Sequence, residues 1–207
     1  GGRVVYAFDV TDIDDTPASP SLPWKKGCPN LTNDTNCSTG FDQIGQTWSA
    51  VKLMKTGYSS ALAMMGGGYD PCEDDDSVAP AQASDLGPDP DDCTSSSKGN
   101  RIYVLDAETG ALLKALPTDR GVAADVVMVT DKVTGLAKYA YAVDLGGNVY
   151  RISGGGANTP FGSSDPAGWT ITKLADLGCG TTNATCNNRK FLFAPDEHWR
   201  FNANIAY

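Results

Sequence analysis

The stretch Lys138–Ile152, KYAYAVDLGGNVYRI, reads as two short strands connected by a glycine turn. In residues 139–143 and 148–152, large side chains alternate with small or polar ones, which is the period of two that a pleated strand requires. Gly146 and Gly147 lie between the two runs and can adopt the positive φ angles of a two-residue hairpin. The stretch therefore predicts an antiparallel β-hairpin.

One half of this hairpin belongs to a repeat. A glycine, one or two polar residues and a β-branched and aromatic strand occur at 2–9 (GRVVYAFD), 99–106 (GNRIYVLD) and 147–153 (GNVYRIS). The second and third copies start 48 positions apart, and the first and second start about twice as far apart. The shorter spacing is typical of a β-propeller blade, which takes about 40–50 residues.

We therefore expect an all-β fold in which residues 1–207 are part of a single β-propeller domain. Two segments, 21–47 and 70–98, are predicted to be loop insertions; a short outer strand is expected to begin at Trp24 in the first, and the second has no hydrophobic periodicity. Without them about 150 residues remain, enough for about three to four blades, whereas a closed ring usually needs four to eight. The propeller is expected to be incomplete. Further strands are predicted at 46–54, 61–65, 111–116, 125–129, 169–174 and 190–194.

The composition excludes several classes of protein. The chain has a formal net charge of −9 and a pI near 4.4. Proteins that bind nucleic acids or anionic membranes instead cluster Lys and Arg on one surface. No apolar run approaches the roughly 20 residues of a membrane-spanning helix. We expect neither nucleic-acid binding nor membrane insertion.

The six cysteines form three pairs that are close in sequence, each within a polar segment: Cys28 with Cys37, Cys72 with Cys93, and Cys179 with Cys186. Six cysteines allow 15 connectivities, and local pairing is the simplest of them. Oxidised pairs imply an extracytoplasmic compartment. Thiolate ligation of a metal is the competing interpretation, but the spacings are not those of zinc sites and the only histidine is His198.

Acidic residues are concentrated between the second pair of cysteines. Calcium prefers several oxygen ligands from a short loop, so these carboxylates are candidate calcium ligands. The alternative is solvated negative charge, because consecutive carboxylates lack the alternating geometry of a tight calcium loop. The candidates are Asp74, Asp75, Asp76, Asp89 and Asp91.

Three strings together resemble the C-terminal propeller of the PilY family: 66–74 (GGGYDPCED), 98–110 (KGNRIYVLDAETG) and 135–151 (GLAKYAYAVDLGGNVYR). The resemblance extends from residue 1 to about residue 195. It implies a bacterial type IV pilus protein that takes part in pilus assembly, twitching motility and adhesion at the pilus tip. The implied partners are minor pilins or other pilus-tip subunits and a host or surface receptor. The implied location is the periplasm, the outer membrane, the cell surface or the pilus tip.

The chain departs from the family at one loop. Many relatives carry a DxDxDG calcium loop before the strand that corresponds to residues 139–143. The corresponding positions here include Thr130, Lys132, Thr134 and Lys138, and only Asp131 is acidic. Because lysines oppose a divalent cation, this loop is not expected to bind calcium.

An enzymatic alternative comes from the turn Asp106–Gly110, which also occurs in the tryptophan-docking repeat of periplasmic pyrroloquinoline quinone dehydrogenases. In that repeat a tryptophan follows the glycine by four positions, whereas Lys114 occupies the place here, and no adjacent cysteine pair is present. No catalytic residue is therefore predicted. We expect a module for binding and assembly, without enzymatic activity.

Overall fold

The computed structural model describes residues 2–11, 20–30, 33–73, 98–178 and 189–196. Within these ranges the protein is all-β, as predicted. None of the described helical segments has the length and apolar character needed to cross a membrane. The described residues contain ten strands: β1 (Val4–Asp9), β2 (Ser21–Gly27), β3 (Lys52–Met54), β4 (Leu62–Gly66), β5 (Arg101–Asp106), β6 (Leu112–Pro117), β7 (Val127–Thr130), β8 (Ala137–Val143), β9 (Asn148–Ser153) and β10 (Thr170–Asp176).

The strands form three antiparallel sheets. The first is the pair β1–β2, and the other two are four-stranded meanders in the orders β3-β4-β5-β6 and β7-β8-β9-β10. The three copies of the glycine-led repeat are β1, β5 and β9, and each copy pairs with the strand that follows it. The sequence repeat is therefore also a structural repeat.

The sheet β3–β6 is buried on both faces because the side chains of β5 alternate between two hydrophobic clusters. Ile102 and Val104 pack in the cluster shared with the sheet β7–β10. Tyr103 and Leu105 pack in the cluster shared with the β1–β2 pair. All four side chains are fully buried. The three sheets thus form a stack with β3–β6 in the middle.

Equivalent residues tie each sheet to the next one. In the strand pairing, Trp24 of β2 lies opposite Ala7 of β1, and Lys114 of β6 lies opposite Val104 of β5. Ala7 and Val104 are each the sixth residue of a repeat copy, so Trp24 and Lys114 occupy equivalent positions. The indole N–H of Trp24 donates to the carbonyl of Ala107 at 3.2 Å. The ammonium of Lys114 donates to the carbonyl of Ala167 at 2.6 Å. The lysine noted in the sequence therefore takes the place of a docking tryptophan at the second junction.

Several local predictions differ from the structure. The segment 21–47 begins with the strand β2, and β3 covers only three residues of the predicted strand 46–54. Residues 190–194 form no strand, and Phe193 is 86% exposed there, so no neighbouring strand buries its side chain. The hairpin loop spans 144–147, and only Gly147 has a positive φ, 79°. It is therefore longer than the predicted two-residue turn.

Candidate functional site

The two predicted loop segments emerge at the same end of the stack, which we call the rim. At this end β2, β4 and β8 finish while β1, β5 and β9 begin. The rim consists of residues 2–3, 27–30, 33–48, 66–73, 98–100, 117–122 and 144–148. It contains the described part of the loop 28–37 and both described ends of the segment 70–98.

Backbone hydrogen bonds join the rim loops of neighbouring sheets. The N–H of Gly99 donates to Gln43 at 2.7 Å, and the N–H of Gly68 donates to Val122 at 2.9 Å. A Cβ atom on Gly68 would lie 2.2 Å from the carbonyl oxygen of Gln46, and one on Gly99 would lie 2.2 Å from that of Gly68. Only glycine permits such an approach. The run of glycines at 66–68 was the available sequence signal for this contact.

Arg3, Asp34 and Lys98 form a charged cluster within the rim. The buried guanidinium of Arg3 donates to the carbonyl of Ile44 at 2.6 Å and to Asp34 Oδ1 at 2.9 Å. The ammonium of Lys98 lies 2.6 Å from Asp34 Oδ2. Burial raises the pKa of Asp34, but the hydrogen bonds from Lys98 and Arg3 outweigh it and hold the pKa below its usual value. Asp34 thereby connects the loop 28–37 to the end of the acidic segment.

The predicted disulfide between Cys28 and Cys37 is present and closes the loop that carries Asp34. The sulfur atoms and one Asp34 oxygen lie within 4.8 Å of one another, which is close enough for a shared metal ion. The sulfurs are already bonded to each other, however, and Asp34 faces two cationic side chains. This group therefore acts as a covalent and electrostatic brace for the loop.

Glu73 anchors the beginning of the acidic segment. It ends the 3-10 turn Pro71–Glu73, and its side chain is fully buried. Its carboxylate accepts a hydrogen bond from Arg120 Nε at 2.5 Å and forms an ion pair with the same guanidinium. The N–H of Gly121 donates to its second oxygen at 3.3 Å. Since an unpaired buried carboxylate would cost several kcal/mol, this pairing fixes the turn against the loop 117–122.

Asp144 is the most heavily hydrogen-bonded side chain of the rim. It is fully buried and accepts hydrogen bonds from the N–H groups of Gly146 and Asn148, the Asn148 amide, the N–H of Arg120 and the Tyr150 hydroxyl. Burial, followed by the charge of Asp144, raises the pKa of Tyr150, so its hydroxyl remains protonated and able to donate. Because donors occupy both oxygens, Asp144 serves to shape the β8–β9 loop.

The turn at residues 131–135, which the sequence analysis does not expect to bind calcium, lies at the end of the stack opposite the rim. Asp131 accepts hydrogen bonds from the N–H groups of Val133 and Thr134, and Asp106 accepts them from Glu108 and Thr109 in the same kind of turn. The ammonium of Lys138 lies 2.6 Å from Asp131 Oδ2. The hydrogen bond from Lys138 and those from the backbone hold the pKa of Asp131 far below its usual value. The carboxylate of Asp131 is therefore paired with a lysine and with the backbone of its own turn.

The side chains of the remaining predicted site residues belong to the parts of the chain that the structure does not describe. The candidate calcium ligands Asp74, Asp75, Asp76, Asp89 and Asp91 lie outside the described residues. The same holds for Cys93, Cys179, Cys186 and the side chain of Cys72. The calcium prediction and the two further disulfides therefore remain predictions.

A solved structure shares this fold. The C-terminal domain of Pseudomonas aeruginosa PilY1 matches with a TM-score of 0.60 and 19% sequence identity over 95% of this chain. The match covers 35% of that chain, so the protein described here spans about a third of its length. No protein-family model and no curated protein sequence match the chain. The chain therefore has a fold similar to that of the PilY1 C-terminal domain.

Proposed function

We propose that the three sheets are consecutive blades of a β-propeller in a PilY-like protein, and that this module supports type IV pilus assembly and adhesion. The observation that carries the proposal is the similarity to the PilY1 C-terminal domain over 95% of the chain. The two four-stranded meanders, stacked face to face with the repeat strand in the same place, support the propeller. The disulfide Cys28–Cys37 supports an extracytoplasmic location, in the periplasm, at the outer membrane or at the pilus tip.

The rim is the proposed binding surface. Loops held on rigid strands commonly carry binding functions, and here the described part of the loop 28–37 and both described ends of the segment 70–98 lie on one surface. The ion pair between Asp34 and Lys98 joins them directly. The proposed partners are minor pilins or other pilus-tip subunits, or a receptor on a host or another surface.

Binding without catalysis is proposed because the buried carboxylates of the rim are committed to structural roles. Glu73 pairs with Arg120, Asp70 accepts a hydrogen bond from the N–H of Lys98, and Asp144 accepts hydrogen bonds from backbone, amide and hydroxyl donors. A general acid or base instead needs a carboxyl group that can reach a substrate proton. These three side chains position the loops.

A loop deletion in the bacterium that produces the protein tests the proposal. Residues 74–97 are replaced by a short glycine–serine linker that keeps the anchors Glu73 and Lys98, and Cys72 is replaced by serine because its predicted partner Cys93 is removed. The expected result is loss of surface piliation, twitching or attachment, with the same secreted amount and the same far-ultraviolet circular dichroism spectrum. The control replaces Lys132 and Val133, exposed residues of a turn at the opposite end, by serine. Wild-type piliation, twitching and attachment after the loop deletion would refute the proposal.

A further inference from the structure

Trp48 presents an open aromatic face at the rim. Its side chain is 51% exposed although Tyr69 covers one side of the ring, with centroids 4.1 Å apart and planes 8° from parallel. Trp24 and Trp169, the other tryptophans in the described ranges, are half-buried and fully buried. Each of those two also donates its indole N–H to a protein acceptor. The packing of the sheets therefore gives no reason for the exposure of Trp48.

The backbone around the pair is held in place. Gln46 and Tyr69 exchange two hydrogen bonds, of 2.7 Å and 2.8 Å. The N–H of Trp48 donates to Gln46 at 2.9 Å, and the N–H of Thr47 donates to Gly2 at 3.0 Å. A ring fixed in this way loses little conformational entropy when a ligand stacks on it. Rigid, exposed tryptophan and tyrosine side chains are frequent anchors of protein interfaces.

The charge of the chain indicates which ligand this face would attract. The segment 70–98 begins directly after Tyr69 and carries nine acidic residues and one lysine, so it supplies −8 of the formal net charge of −9. Such a field raises the local concentration of cationic partners. The face of a tryptophan ring also attracts cations, and a planar guanidinium stacks on it particularly well. A neutral sugar could use the ring but would gain nothing from the field.

We propose that the Trp48–Tyr69 pair is the anchor for an arginine side chain in a basic segment of a partner protein. The inference deepens the proposed function and rests on it, because it names the chemistry by which the rim recognises a protein partner. The ring supplies a local contact with the guanidinium. The acidic segment supplies the long-range attraction.

The test measures the affinity of the chain for a blocked hexaarginine peptide by calorimetry. The matched peptide has citrulline, the neutral analogue of arginine, at each position. The inference predicts that Trp48→Ala weakens binding of the arginine peptide about 2- to 30-fold, the range that one cation–π contact supplies. Trp48→Phe is expected to fall between the wild type and Trp48→Ala, since it keeps a weaker aromatic face.

Leu53→Ala is the matched control, because Leu53 is 75% exposed and lies five residues further along the chain. It should leave the affinity unchanged, and all variants should keep the wild-type melting temperature. Equal affinity of the wild type and Trp48→Ala for hexaarginine would overturn the inference, as would equal binding of the citrulline peptide. Binding of a neutral oligosaccharide that Trp48→Ala abolishes would overturn it in favour of a sugar site.

The loop deletion in the bacterium and the purified Trp48→Ala variant together separate this inference from the proposed function. If the loop deletion impairs piliation or attachment while Trp48→Ala binds hexaarginine normally, the inference fails and the proposed function stands. If Trp48→Ala weakens peptide binding but the loop deletion leaves piliation, twitching and attachment normal, the proposed function fails and the arginine site stands only as a property of the isolated chain.

Discussion

At the residue scale, Asp144 combines full burial with a complete set of hydrogen-bond donors. We expect Asp144→Ala to lower the free energy of unfolding by about 3–5 kcal/mol, because several buried donors would lose a charged acceptor. Asp144→Asn should also destabilise the chain, since its amide would face N–H and O–H donors. Urea unfolding followed by fluorescence measures both effects. A loss below about 1 kcal/mol for both variants would contradict the role assigned to Asp144.

Asp34 gives a prediction on pH dependence. Its pKa is lower in the folded chain than in the unfolded chain, because the hydrogen bonds from Lys98 and Arg3 outweigh the effect of burial. Because the pKa is lowered on folding, the ionised carboxylate contributes its full stabilisation at pH values above the unfolded-state pKa of about 4. This contribution is lost as the pH falls through the folded-state pKa. The difference in free energy of unfolding between the wild type and Asp34→Asn should therefore shrink as the pH drops below about 4. A difference that stays constant down to pH 2 would contradict the ion-pair role.

At the scale of the element, two copies of one turn allow a matched comparison. Gly110 and Gly135 end the turns that begin at Asp106 and Asp131, with φ angles of 66° and 70°. A Cβ atom on Gly110 would lie 2.5 Å from the Trp24 ring, whereas one on Gly135 would meet nothing within 4 Å. Gly135→Ala should therefore cost only the backbone penalty of about 1–2 kcal/mol, and Gly110→Ala should cost more.

The excess cost at Gly110 is steric, so it should decrease when the tryptophan is removed. In a double-mutant cycle, adding Gly110→Ala to Trp24→Ala is expected to cost about as much as Gly135→Ala costs in the wild type. Thermal and urea unfolding of the four proteins give the cycle. If the two alanine substitutions are equally costly in the wild type, Trp24 does not dock on this turn in the way the structure describes.

The sequence predicts a strand or a loop when the contacts that determine it are between residues close in sequence, and fails when those contacts are between distant residues. Alternation along 139–143 and 148–152 identifies β8 and β9, because a strand's own side chains set its period. The loop 144–147 is closed by hydrogen bonds to Asp144 from the N–H groups of Gly146 and Asn148, which are close in sequence, but the full burial of Asp144 also depends on the N–H of Arg120, which is far away in sequence. Likewise, the glycines 66–68 are needed where the backbone comes close to Val122, Gly99 and Gln46, which are distant in sequence, and a single sequence does not contain those distances. The aromatic pair of Trp48 and Tyr69 depends on the same tertiary approach.

At the scale of the whole molecule, equivalent repeat positions differ in burial from sheet to sheet. Tyr103 and Leu105 of β5 are fully buried against the β1–β2 pair, whereas the equivalent Tyr6 and Phe8 of β1 are 52% and 57% exposed. The outer face of the β1–β2 pair therefore resembles a blade interface without its neighbour. If a further blade covers it in the protein isolated from the bacterium, hydroxyl radicals should label Tyr6 and Phe8 more slowly there than in the 207-residue chain.

Substitution should separate an open interface from a core in the same chain. Replacing Tyr6 and Phe8 by serine should change the free energy of unfolding of the 207-residue chain by less than about 1 kcal/mol and reduce its self-association, because exposed apolar patches promote association. Replacing Tyr103 and Leu105 by serine should prevent folding, since both side chains lie in a packed hydrophobic cluster. Denaturant unfolding, light scattering and radical footprinting with mass spectrometry provide the measurements. Equal labelling of Tyr6 and Phe8 in both forms of the protein would show that no further blade packs on this face.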